Sequence, residues 1–205
     1  MKKQDKSIFK LGITGGFGSG KTTVCRVFKI LGIPVFFADS EAKKIMDSDQ
    51  SIKERVNSLT GKDVYLNGTL DRTEFAKLIF NDKILLNNVN SIVHPAVFEK
   101  FDTWAGEQAT PYVIMEAAIL FESGASKLVD RILTVVTPLE ERIARLINGN
   151  KLTREQIMDR INNQIDDAAR IGNSDYVIYN SENDLILPAI LKVHKEILKD
   201  LGKTV

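Results

Sequence analysis

Eight consecutive residues near the amino terminus, Gly15-Gly16-Phe17-Gly18-Ser19-Gly20-Lys21-Thr22, set glycines, a lysine and a hydroxyl at a spacing suited to holding a chain of phosphates. They fit the pattern G-x-x-x-x-G-K-[ST]. Glycines let the backbone wrap so that successive N–H groups point at phosphate oxygens, an approach that side chains would obstruct. Lys21 brings a compact positive charge to the β- and γ-phosphates, and the Thr22 hydroxyl is of the type that ligates Mg²⁺. A helix opening near Lys21 aims its N-terminus at the same anion. Gly16, Gly18, Ser19, Gly20, Lys21, Thr22 and Thr23 are therefore the expected nucleotide-binding residues, with Thr22 the metal ligand.

The same glycines do not make the dinucleotide fingerprint G-x-G-x-x-G, whose third position falls on Lys21 or Thr23. A phosphate loop serves GTPases, motor ATPases and small-molecule kinases alike. The chain has no Asn-Lys-x-Asp element of the kind that reads a guanine base. The segment YVIMEAAILFE carries Glu116 and Glu122 but not the acidic pair expected of a motor ATPase. A kinase that encloses two substrates fits best. The alternatives are a kinase for another nucleoside or nucleotide and, in a different class, a switch or ATPase with a protein partner.

The elements that must position this loop follow from the pattern around it. IFKLGIT at 8–14 predicts a buried strand, 21–31 a helix, and VFFAD after Gly32 and Pro34 a short strand ending at Asp39. That βαβ opening implies an α/β fold with a parallel sheet. From 40 to 108 the pattern turns helical, with Asp71 starting one helix and HPAVFEKFDTWAGEQ forming another. The sheet resumes with YVIMEAAILF, RILTVVT and, later, DYVIYN, and a closing helix runs from about Glu182 to Leu201. Thr137-Pro138-Leu139-Glu140 and Thr153-Arg154-Glu155-Gln156 each predict a capped helix start.

Composition narrows the setting. With 28 Lys and Arg against 27 Asp and Glu, the net charge of +1 argues against a dedicated nucleic-acid binder. One cysteine, Cys25, excludes an internal disulfide and points to a reducing compartment. Neither a signal peptide nor a membrane span is legible, so a cytoplasmic protein with no membrane partner is expected. Oligomeric state is not readable.

Several further segments resemble one family, the dephospho-coenzyme A kinases. LGITGGFGSGKTTV is similar to that family's start, ADSEA at 38–42 to its D-A-D-x-x-A segment, and GTLDRTEFAKLIFND to its G-x-L-D-R segment. VHP at 93–95, ILFESG, LTREQIMDRINNQ and DYVIYN follow in the family's order over nearly the whole chain. The resemblance implies a P-loop kinase fold: a parallel sheet flanked by helices, with a helical substrate-binding insertion and a lid. It places the core at 1–39, 109–141 and 171–205, the helical CoA-substrate domain at 40–108 and the lid at 142–170. It implies ATP- and Mg²⁺-dependent phosphorylation of the ribose 3′-hydroxyl of dephospho-CoA, the last step of coenzyme A biosynthesis.

Site residues are weighed in that light. A carboxylate at a strand's C-terminal edge can accept a hydroxyl proton or cap the next helix; the resemblance gives Asp39 the catalytic role. A planar guanidinium can meet two γ-phosphate oxygens. Arg142 and Arg145 are the favoured lid arginines, Arg160 and Arg154 the weaker ones, each also explicable as a solvated partner of Glu141, Glu155 or Asp159. His94 (beside a helix-starting Pro95) is a core histidine or a substrate residue, Glu122 a salt-bridge partner or part of the acceptor pocket, Arg72 a solvated helix residue or a substrate contact, and Asn180 an adenine contact or a turn cap. Cys25, Phe101 and Trp104 are expected to pack. The chain departs from the family at Phe37, where a second aspartate is usual, and near Gly149, where an arginine is.

Overall fold

Apolar runs bounded by glycine and proline form the strands that carry the loop. The computed structural model describes residues 8–80, 82–150 and 152–203, the side chains of Phe80 and Asn150 excepted. Strand β1 (Phe9–Gly15) leads through the glycine loop into α1 (Lys21–Ile30), and β2 (Val35–Phe37) follows. After the 37–104 region come β5 (Tyr112–Glu116), β6 (Arg131–Val136), α6 (Leu139–Asn150), α7 (Arg154–Asn162), α8 (Asp167–Gly172), β7 (Tyr176–Tyr179) and α9 (Ile186–Asp200). The strands lie in the order β2-β5-β1-β6-β7, and β1 pairs in parallel with both β5 and β6. Strand β1 is thus central, its last five residues buried, as expected of a parallel strand covered on both faces. The loop leaves its carboxyl end, the edge where such sheets take ligands.

Helix α1 buries Lys21, Val24, Cys25 and Phe28, a stripe at i, i+3, i+4 and i+7. It packs against α9, where Phe28 meets the ring of His194 at a centroid distance of 6.4 Å. His194 Nδ1 is 2.7 Å from the hydroxyl of Tyr112, so this buried imidazole keeps a polar partner. Burial holds the His194 pKa below its ordinary value.

The chain divides into two compact units, one built from the residues up to Phe36 and from Ala105 onward, the other Phe37–Trp104. The second holds α2 (Ala38–Ser48), α3 (Gln50–Thr60), β3 (Tyr65–Leu66), β4 (Thr69–Leu70), α4 (Arg72–Phe80) and α5 (Lys83–Gly106). Asp71 caps α4, its Oδ1 accepting from Glu74 N at 3.0 Å. Strands β3 and β4 form a hairpin that the sequence reading passed over, although Asn67-Gly68 is the dipeptide such turns select. Both residues have positive φ, 51° and 79°.

Three expectations are corrected. Strand β2 stops at Phe37, and Asp39 lies in the first turn of α2, where its charge suits the helix N-terminus. Pro95 does not start a helix; it sits inside α5, which begins at Lys83. The carbonyl that the proline leaves without an N–H is that of Ser91, an exposed residue. Thr137 and Glu140 do not form a capping box: the hydroxyl goes to two backbone carbonyls elsewhere, and Glu140 forks onto Arg154 at 2.7 and 2.9 Å. The second expected box is present, Thr153 and Gln156 exchanging bonds at the start of α7. Among the described residues no helix is long and apolar enough to cross a membrane.

Candidate active site

The loop owes its shape to glycines that no other residue replaces cheaply. Gly18 and Gly20 have φ of 82° and 89°, left-handed backbone in which a Cβ is strained. At Gly20 a Cβ would also land on the amide nitrogen of Asn180. The turn closes with Ser19 N donating to Gly16 O at 3.0 Å, and Thr23 N to Gly20 O at 2.9 Å opens α1. Lys21 is buried, its Nζ donating to Gly15 O at 3.0 Å and Gly16 O at 3.4 Å. Thr22 and Thr23 are exposed on the first turn. Ser19 Oγ is buried with no hydrogen-bond partner among the described residues.

Two elements brace the loop from behind. Asn180, just past β7, donates from Nδ2 to Ser19 O at 2.8 Å. Thr137, at the end of β6, donates its hydroxyl to Ser19 O and to the backbone O of Asn180, both at 3.0 Å. The sequence offers Asn180 as an adenine contact or a turn cap and Thr137 as a helix cap; in the fold the Asn180 amide and the Thr137 hydroxyl are both bonded to the loop. Its third support is Phe17, which packs on the apolar cluster of Ile143, Leu146 and Ile157 between α6 and α7. Phe17 N donates to Gln164 Oε1 at 2.8 Å, and Gln164 Nε2 in turn to Ala118 O at 2.9 Å.

Of the two favoured arginines, it is Arg142 that lies on the loop backbone. It is 5% exposed, and its Nη1 fills the space above Gly16 where a Cβ would stand. Its Nη2 donates to Asp167 Oδ2 at 2.8 Å. Burial lowers its pKa, Asp167 raises it and Arg170 lowers it. Arg145 instead pairs with Glu141 at 3.3 Å, Arg154 with Glu140, and Arg160 lies over the Phe17 ring at 5.1 Å. Glu122 is exposed and accepts from Ile165 N at 2.9 Å, a bond that anchors the turn before α8.

In the helical unit, Asp39 is exposed and close enough to His94 for its charge to raise that pKa, although burial lowers it more. His94 stacks on Phe98 at 6.0 Å. Arg72 is bound to Asp47 at 2.6 Å. Cys25, Phe101 and Trp104 pack as expected, the last two stacked at 6.1 Å.

Two residues escaped the sequence reading. Glu116 closes β5 beside Ile13 and is 7% exposed. Burial raises the Cys25 thiol pKa most; Glu116 adds to the rise and Lys21 opposes it, so both charges border the same face of α1. An apolar strand ending in one acid was the available signal, set aside for want of a second acid. The other is Arg170, 1% exposed, which pattern reading consigns to solvent.

A glycine loop joining the central strand to a helix, with a guanidinium laid on the loop, defines a phosphotransferase of the P-loop kind. Within that class the chain belongs to the dephospho-CoA kinase family, whose model, described as "Dephospho-CoA kinase", matches residues 9–185. A dephospho-CoA kinase of Bacteroides fragilis is 37% identical over 185 residues, which cover 90% of each chain. A crystal structure of a Thermus thermophilus protein superposes with a TM-score of 0.82 at 29% identity, covering 96% of this chain and 99% of that one. The fold is shared as well by a dephospho-CoA kinase from Campylobacter jejuni, TM-score 0.69 at 24% identity, over 93% of this chain and 98% of that one.

Proposed function

We propose that this chain transfers the γ-phosphoryl group of ATP to the ribose 3′-hydroxyl of dephospho-CoA, giving coenzyme A and ADP. The observation that carries this reading is the Arg142 guanidinium held against Gly16 of a complete phosphate loop, in a member of the dephospho-CoA kinase family. The 3′-oxygen attacks the γ-phosphorus while the bond to the β,γ-bridging oxygen breaks, and Asp39 takes the hydroxyl proton. Loop N–H groups and Lys21 hold the β- and γ-phosphates, and Arg142 meets charge that spreads over the γ-oxygens. We read 142–170 as the lid. Arg145 and Asn180 are secondary nucleotide contacts, and His94, Glu122 and Arg72 belong to the acceptor side. Burial holds the His94 pKa below its ordinary value against the charge of Asp39, which favours a neutral ring that exchanges hydrogen bonds with the substrate.

The donor set suits magnesium. Among the described residues no cluster of three or more His, Cys, Asp or Glu side chains is placed to hold a metal. Mg²⁺ commonly takes few protein ligands and completes its shell with water and substrate phosphates. Thr22 Oγ1 and the Glu116 carboxylate, directly or through water, are the hard oxygen donors for it. The ion would neutralise phosphate charge. The setting is cytoplasmic, where ATP and dephospho-CoA meet.

The test is ADP formation from Mg-ATP with dephospho-CoA, adenosine or AMP as acceptor. Turnover that requires dephospho-CoA supports the reading. Equal ATP loss without acceptor, or turnover with the control acceptors alone, overturns it.

A further inference from the structure

Arg170 takes no part in the reaction as described, yet among the side chains withdrawn almost wholly from solvent it is the largest. Its bonds explain how a guanidinium survives there. Nη1 donates to Asp167 Oδ1 at 2.5 Å and Nη2 to Ile165 O at 2.9 Å. Asp167 gives its other oxygen to Arg142 Nη2, and Arg142 Nη1 covers Gly16. A continuous line therefore runs from the Ile165 carbonyl through Arg170 and Asp167 to Arg142 and the phosphate loop.

Two features make this more than a staple for a short helix. First, two guanidiniums share one carboxylate, so the trio carries a positive charge that Asp167 does not cancel, next to a loop shaped for anions. Second, Nε of both arginines is buried with no partner among the described residues, so each guanidinium is held by its Nη atoms alone. An arginine head fixed at only one Nη pair depends on the carboxylate that grips it. Asp167 is itself one-third exposed and free to choose other rotamers unless Arg170, three residues on along α8, fixes it. The planar fork meets Ile165 O and Asp167 from two separate nitrogens at a fixed angle, a geometry that the single nitrogen of a lysine does not reproduce.

We propose that Arg170 is a positioning residue for phosphoryl transfer: through Asp167 it fixes the Arg142 guanidinium against the phosphate loop, so that Arg142 meets the γ-phosphate already ordered. This rests on the reading of Arg142 as a phosphate contact. Arg170 itself touches no reacting atom.

The test uses the full chain as Arg170→Lys, Arg170→Met, Arg142→Met and the double Arg142→Met/Arg170→Met, with steady-state kinetics and ¹⁵N NMR of arginine Nε–H groups. Arg170→Met should lower kcat about tenfold with KM for dephospho-CoA within about twofold, and the double variant should be no slower than Arg142→Met within about twofold. The Arg142 Nε–H is buried in the wild type, though unbonded among the described residues, and its signal should be lost to solvent exchange in both Arg170 variants. Arg170→Lys keeps the charge and a milder packing change, so it decides the matter if Arg170→Met does not fold. Losses that multiply in the double variant, or an Arg142 signal unchanged in Arg170→Lys, overturn the proposal. Full turnover in Arg142→Met, with its partner signal still lost in Arg170→Met, overturns the catalytic reading of Arg142 and leaves the bracing intact.

Discussion

Thr137→Val isolates the brace behind the loop with almost no change of shape. The Thr137 side chain is 1% exposed, and its single hydroxyl proton is shared between Ser19 O and Asn180 O. Valine fills the same volume, so no cavity term enters, and the loss is that of a buried polar contact. Ser19 O keeps the Asn180 amide at 2.8 Å and is not orphaned. The Asn180 carbonyl loses its donor, so the cost should be about 1–2 kcal/mol, within the range for an unmade buried hydrogen bond. For a chain of this size that is a fall in Tm of about 2–8 °C. A loosened loop must also be ordered by the nucleotide, so Kd for ATP should rise about three- to tenfold, or about 0.7–1.4 kcal/mol. Differential scanning calorimetry and titration calorimetry read the two quantities, and Thr137→Ser, which keeps the hydroxyl, should restore most of both. If Thr137 were instead a helix cap, stability would fall while ATP affinity stayed put. That split, or a Tm within about 1 °C of wild type, would refute the reasoning.

Gly20→Ala combines left-handed strain with displacement of the Asn180 amide, and should cost about 2–4 kcal/mol in urea unfolding; a loss under about 0.5 kcal/mol counts against the loop geometry. Asp39→Asn should lower kcat by at least about 100-fold, the scale of general-base loss, with ATP Kd nearly unchanged by calorimetry; near-normal turnover removes Asp39 from the mechanism. The chain's two histidines, His94 and His194, both have folded pKa values depressed mainly by burial. The unfolded chain therefore binds more protons below its own histidine pKa of about 6.5, and stability should rise with pH through that region and fall as pH drops below it. Urea midpoints from pH 5.5 to 7.5 check the sign, and His194→Gln should flatten the slope; a midpoint that rises on acidification contradicts it.

How much of this was legible in the sequence depended on range. The phosphate loop, β1 and α1 were readable because their geometry is set by glycines and an apolar stripe within a few residues. The start of α7 was readable for the same reason, since Thr153 and Gln156 satisfy each other locally. Thr137-Pro138-Leu139-Glu140 carries the same local signature and failed, because tertiary partners 118 and 43 positions away claimed the hydroxyl. Pro95 reads as a helix start because proline suits a first helical turn, and nothing local shows that α5 already runs from Lys83. Among the site residues, Lys21 and Thr22 follow from the motif, whereas which arginine reaches the loop does not. Arg142 and Arg145 look alike on one helix, and only the fold turns the first onto Gly16 and leaves the second with Glu141. Arg170 was invisible for a related reason: its burial is made possible by Asp167 and by the Ile165 carbonyl, neither of which is marked in the sequence as a partner.

The most direct measurement is ³¹P NMR of the wild-type chain turning over Mg-ATP and dephospho-CoA. A new phosphomonoester signal, coupled to the ribose 3′ proton and growing in step with ADP, is the predicted result. Inorganic phosphate growing in step with ADP while dephospho-CoA stays unchanged, or a monoester on any other oxygen, would contradict the account.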